Sequence, residues 1–286
     1  DVYGDISAVE MFEQYLKTPK KWFPELIDLA HKLGLKCAAT IHGENGIEWA
    51  LTQDLDLIKI ASMDHNNIPL FESMVNRLKV PILISFGMAD IEDIDRAMTV
   101  LKKHEPGVGL FYCVAVYPPR SGDIALKNIK FLTERYGKLV GFSDHTTNIT
   151  TACAALSFGA RIFEKHVTLN RSAPGPDHPF ALEFDEFTAY VAALRETHSF
   201  LGSDVFQGPS DYELNKRKSY LKSVIVRRNM KAGETISAID LYLARPGSGI
   251  QPRFFNEVVG SKLTRDVVAE QPLDWLDIGR SRLSDS

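Results

Sequence analysis

Six short runs of aliphatic and β-branched residues recur through residue 167, and stretches with helical apolar spacing separate them. The runs are LKCAATI (35–41), DLIKIAS (56–62), VPILISF (80–86), VGLFYCV (108–114), LVGFS (139–143) and RIFEKHV (161–167). Continuous apolar runs of this length suit parallel strands covered on both faces. The helical patterns are PELIDLAHKLG (24–34), PLFESMVNRLK (69–79), IEDIDRAMTVLKKH (91–104), 124–135 and 149–158, with a last one near 185–200. Such alternation means βαβ units and a parallel sheet. A closed (β/α)8 barrel takes eight strands. Two architectures therefore fit: an open, doubly wound sheet of six strands, or a TIM barrel whose first two βα units are absent from this sequence. The chain opens on Asp1, and DVYGDIS reads as the interior of a longer chain. That favours the second, an α/β (β/α)8 barrel domain over residues 1–202.

The texture then changes. Residues 203–218 are polar with Gly and Pro, and read as a linker. Residues 219–286 read as a small β-rich module, with LKSVIVRR (221–228), a turn in KAGETIS (231–237) and LYLARPGSG (241–249). A module of that size buries little surface by itself, so it is expected to dock on another one.

Composition narrows the function. The net charge is −4 with no basic stripe, which argues against nucleic acid as a partner. No apolar run approaches the roughly 18 residues of a membrane span. No signal peptide opens the sequence, and Cys37, Cys113 and Cys153 lack metal or disulfide spacing. The expected setting is cytoplasmic, with reduced thiols.

Chemistry concentrates at strand ends. His145 in GFSDHT and His166 in FEKHVT are one βα unit apart, which brings both imidazoles to the C-terminal rim of a barrel. Flanked by Asp144 and Glu164, they form a candidate divalent-metal site with open positions for substrate and water. The plainer reading is two strand-end histidines bonded to backbone. Lys59, within an apolar strand, calls for an anionic partner such as a phosphate or carboxylate, with Ser62 and Ser85 as neutral donors. A Schiff-base lysine and a snorkelling one are its alternatives. RSAPGPDHPFAL (171–182) forms a stiff rim loop with Asp177 and His178 at its tip. Arg245 precedes a Pro-Gly-Ser-Gly turn in the small module and could clamp a carboxylate or a hydroxyl.

GFSDHT, EKHVT and PGPDH, followed by ARPGSGI, with IKIAS, PILISFGM and YCVAVYPP in order before them, resemble the sialic acid (N-acetylneuraminate) synthase family. PGPDHPFAL and IQPRFF are closest in wording to its spore-coat-polysaccharide E-type branch. The resemblance implies a (β/α)8 barrel joined to an antifreeze-like (SAF) domain. It also implies a reaction in which phosphoenolpyruvate condenses with an N-acetylated hexosamine such as N-acetylmannosamine and releases phosphate. Mn²⁺ or Mg²⁺ would sit on His145 and His166. Lys59, Thr40, Ser62, Ser85 and Ser143 match phosphoenolpyruvate-binding positions. Asp64 stands where the family has a glutamate tied to acid–base work or sugar contact. Tyr117 and Asp177 match sugar-side residues. Arg245 matches an arginine reaching the partner's barrel in a domain-swapped homodimer.

The sequence also departs from the family pattern. The opening EIG-N-H and K-F-Q type motifs are absent. Phe86 replaces a threonine, which is expected to remove a hydroxyl from the site, Ala115 replaces an asparagine, and IHG (41–43) replaces a more apolar segment. A metal-dependent aldolase or lyase on the same barrel is the second reading. A degenerate sugar-binding homologue is the third.

Overall fold

A computed structural model of the chain describes Ser7, Glu10 and residues 17–281. All but the last residue of the opening DVYGDIS, and the final five residues, lie outside that set. The chain divides into two units, Asp1–Gly202 and Ser203–Ser286.

In the first unit, six strands form one parallel sheet in sequential order. They are β1 (Ala38–Thr40), β2 (Leu57–Ile60), β3 (Ile82–Phe86), β4 (Val108–Cys113), β5 (Leu139–Asp144) and β6 (Phe163–Lys165). Helices α1 (Phe23–Lys32), α2 (Glu44–Ala50), α3 (Ile68–Arg77), α4 (Ile91–Leu101), α5 (Lys127–Tyr136) and α6 (Thr150–Ser157) alternate with them. Helix α7 (Phe184–Phe200) closes the unit. Local signals set the starts. Asn67 caps α3 through Leu70 N with proline in its first turn, and Asp90 with Asp93 forms a capping box on α4.

Register sorts the side chains. Partners across a parallel ladder share a face, and neighbours along a strand alternate. Ile58, Ile60, Ile82, Ile84, Leu110, Val140 and Phe142 face the helices and pack in one core with Phe71, Met74, Leu101 and Ile129. Each such side chain contributes about 1.5–3 kcal/mol on burial. Lys59 pairs with Leu83, Ser85 with Phe111, and Cys113 with Ser143, which also pairs with Glu164. That polar set lies on the other face.

The sheet curls about that face. Lys59 on β2 and Glu164 on β6 stand four strand positions apart, about 19 Å in a flat sheet, yet their Nζ and Oε2 atoms are 3.1 Å apart. Only a strongly curved, barrel-like arc brings them together.

The second unit has its own core. Strands β7 (Ser223–Val226) and β8 (Leu241–Ala244) pair antiparallel, and Val224, Val226, Met230, Leu241, Leu273 and Trp275 pack around them. The polar stretch read as a linker contains a helix, α8 (Asp211–Tyr220), started by a Ser210–Glu213 capping box.

Candidate active site

Lys59 lies in the hollow of the arc with its side chain only 11% exposed. Its ammonium meets both carboxylate oxygens of Glu164, at 3.1 and 3.4 Å, and stands over the Phe111 ring, 5.4 Å from its centre. Ser143 Oγ donates to the same carboxylate at 2.6 Å. Ser85 Oγ is buried and has no hydrogen-bond partner. A buried hydroxyl left unpaired is costly, and an oxygen-rich ligand would relieve it. Ser62 Oγ is engaged, accepting from Gly87 N at 3.0 Å. Ammonium and hydroxyls in one hollow make a site for an anion.

Beside it stand the two histidines. Their rings lie 5.3 Å apart, edge to face. His145 Nδ1 is 3.2 Å from the Val114 carbonyl, which can only accept, so Nδ1 carries the proton and Nε2 the lone pair. His166 Nδ1 faces Asp177 Oδ2 at 3.4 Å, an acceptor, so Nδ1 carries a proton there too. Burial pulls His145 below the ordinary imidazole value, and the neighbouring His166 adds to this against the opposing Val114 bond. The His166 contact holds Asp177 below the usual carboxylate range. Imidazoles whose Nδ1 is held by an oxygen have the form of metal ligands. Among the described residues no three His, Cys, Asp or Glu side chains are arranged to hold a metal ion. Two imidazoles alone would leave the remaining positions of a metal to ligand and water oxygens.

An aromatic wall encloses the pair. Tyr117 lies 4.2 Å from His145 and 6.1 Å from His166 by ring centres. Phe180 lies 5.0 Å from His166 and 5.4 Å from Tyr117. Burial pushes the Tyr117 phenol up to about 12. It stays protonated, a donor for a hydroxyl or carbonyl.

The structure redraws several expectations. Asp144 does not flank the histidines. It alternates to the helix side, where it is fully buried against Thr146, Lys165 and Tyr190. Glu164 faces the hollow but serves Lys59 and Ser143. Phe86 shares the outer face with Tyr112 and Phe142 by register, so its missing hydroxyl is no loss to the hollow. Asp64, in the turn after β2, pairs with His42 Nδ1 at 2.7 Å. Thr40 is exposed at the edge strand β1. His178 is bonded to Thr168 Oγ1 at 2.7 Å, while Asp177 of the same loop faces His166. Arg245 belongs to the second unit, exposed, with its guanidinium over the Tyr220 ring. Phe180 is not among the residues that the sequence points to, and Glu164, there a flank of the histidines, is in the structure the partner of Lys59 and Ser143. Glu164 lies two residues before His166 on one strand, so strand parity alone places both on one face.

Comparison with known proteins decides the family. The NeuB family pattern matches residues 3–206, and the SAF domain pattern matches residues 222–279. The chain belongs to the NeuB family. It is 33% identical to the N,N'-diacetyllegionaminic acid synthase of Legionella pneumophila, over 96% of this chain and 76% of that one. It is 30% identical to the pseudaminic acid synthase of Campylobacter jejuni, over 90% of this chain and 74% of that one. The solved structure of the spore coat polysaccharide biosynthesis protein SpsE of Bacillus subtilis superposes with a TM-score of 0.61 at 27% identity, covering 98% of this chain and 84% of that one. In NeuB terms, the curled parallel sheet is the synthase barrel unit, and the module carrying β7 and β8 is the SAF domain. Among the described residues no helix is long and apolar enough to cross a membrane.

Proposed function

We propose that this NeuB protein is a nonulosonic acid synthase, condensing phosphoenolpyruvate with an N-acetylated hexosamine such as N-acetylmannosamine. One observation carries the reading: a buried ammonium and an unpartnered buried hydroxyl share a hollow with a pair of imidazoles. An anion site and an electrophile site side by side are what this condensation needs. The family and its named synthase relatives support the same assignment.

In the reaction, the methylene carbon of phosphoenolpyruvate attacks the sugar aldehyde carbon, and a carbon–carbon bond forms. Water adds to the cationic centre left at the carbon bearing phosphate. The C–O bond to phosphate then breaks, giving a 2-keto acid and inorganic phosphate. Lys59, with Ser85, Ser143, Ser62 and Thr40, would bind the carboxylate and phosphate. Glu164, bonded to Lys59 and Ser143, would take a proton from the added water. Tyr117 and Asp177 would orient the sugar hydroxyls, and Asp64 would serve the sugar or proton transfer from the rim. A divalent cation, Mn²⁺ or Mg²⁺, held by His145 and His166 would act as Lewis acid at the aldehyde oxygen. We extend the reading to a homodimer in which Arg245 reaches the partner's barrel. A clean monomer in light scattering at micromolar concentration would remove that part.

The decisive chemistry is testable with phosphoenolpyruvate labelled by oxygen-18 in its bridging oxygen. Label recovered in phosphate is the expected result. Turnover of pyruvate in place of phosphoenolpyruvate, without phosphate release, would assign the hollow to an aldolase or lyase instead.

A further inference from the structure

The residues directly before the two histidines, Asp144 and Lys165, are register partners on β5 and β6 and face away from the hollow. Both side chains are almost wholly buried, with Nζ 3.4 Å from Oδ2. A buried pair of this kind is weak evidence for stability as such, so its bonding pattern is the informative part. The Lys165 ammonium also donates to the backbone carbonyls of Asp144, at 3.2 Å, and of Thr146. Those carbonyls bracket His145. Asp144 in turn accepts from Thr146 N at 2.9 Å, from Thr146 Oγ1 at 2.8 Å and from Tyr190 OH on α7 at 3.2 Å. One ammonium thus fixes the backbone on both sides of His145, while its own strand carries His166 as the next residue. The β5–β6 ladder stops at Asp144 and Lys165. Beyond it, this network holds the backbone on both sides of His145, while the His166 carbonyl is tied separately, accepting from Leu182 N at 3.0 Å.

We propose that Lys165, with Asp144 and Tyr190, is a positioning residue that sets the spacing of His145 and His166 from behind the sheet. It touches neither substrate nor metal. The inference rests on the synthase reading only for its effect on turnover; the ring geometry it controls exists without ligand.

The test compares wild type with Lys165→Met and with the double variant Asp144→Asn/Lys165→Met, which leaves no buried charge unpaired if the single variant folds poorly. The first readout is the ¹H–¹³C spectrum of the imidazoles in metal-free protein. The His145 signal is displaced by the Tyr117 ring 4.2 Å away. In the double variant the His145 and His166 signals are expected to move toward free-imidazole positions and broaden, while His31 stays in place. The second readout is Mn²⁺ affinity by calorimetry, expected to fall about 10–100-fold. The third is turnover, with kcat falling over the same range and KM for phosphoenolpyruvate unchanged. A folded double variant with wild-type imidazole signals would overturn the inference and reduce the network to a structural filler. If wild type itself binds no Mn²⁺, the metal reading fails, and the imidazole spectra still decide the positioning role.

Discussion

At the residue scale, function and stability separate cleanly at Ser85. Its hydroxyl is buried without a partner, so removing it costs the fold nothing and costs the ligand a bond. Ser85→Ala should hold or gain stability within about 1 kcal/mol and weaken phosphoenolpyruvate binding about 5-fold. Chemical denaturation and calorimetry check the two halves; unchanged binding would remove Ser85 from the anion site. Lys59 carries more. Lys59→Met should lower kcat/KM for phosphoenolpyruvate about 100-fold, the scale of a lost charged hydrogen bond, and leave Mn²⁺ binding at the histidines intact. Steady-state kinetics with parallel metal titration measures both. Much of this site was legible in the sequence. A lysine in an apolar strand and histidines at two strand ends announce themselves. The partner of Lys59 did not, because Glu164 lies 105 residues away and meets it only when the sheet curls. Asp144 flanks His145 in sequence, but strand parity turns it outward, away from the hollow.

At the element scale, close packing inside the arc constrains the strands. Gly141 on β5 has no room for a side chain: a Cβ there would come within 2.5 Å of the Ile162 carbonyl and 2.7 Å of the Phe111 ring. Gly141→Ala should destabilise the first unit by about 3 kcal/mol through forced strand displacement, measured by denaturant unfolding. The lead into β1 depends instead on charge. Asp56 accepts from Lys36 Nζ at 2.7 Å, Cys37 N at 2.8 Å and His31 Nε2 at 2.9 Å. These bonds, that of Lys36 foremost, hold its carboxyl well below the ordinary 3.8. A carboxylate depressed in the folded state stabilises above its unfolded value and loses that contribution as pH falls through the folded one. Wild type should therefore melt above Asp56→Asn at neutral pH, and the gap should close as pH drops below about 3.8. A gap independent of pH would contradict the assignment. The six strands were readable because each is a short apolar run between amphipathic stretches. Helix α8 was readable too, since Ser210 and Glu213 have capping-box spacing, but its polar faces carry no apolar periodicity and it passed for linker.

At the scale of the whole molecule, the barrel unit and the SAF domain each bring their own core, so each is expected to hold its fold by its own packing. The acceptor sugar was not legible, because the residues proposed to face it, Tyr117 and Asp177, lie in loops whose geometry the strand pattern does not set. The central claim is tested most directly by offering the full-length protein phosphoenolpyruvate, Mn²⁺ and a panel of N-acetylated hexosamines. Phosphate and product mass are then followed together. The account predicts one phosphate released per 2-keto acid formed, the product three carbons longer than its acceptor, with both lost in His145→Ala. Phosphate release without a lengthened sugar, or sugar lengthening from pyruvate with no phosphate, would contradict it.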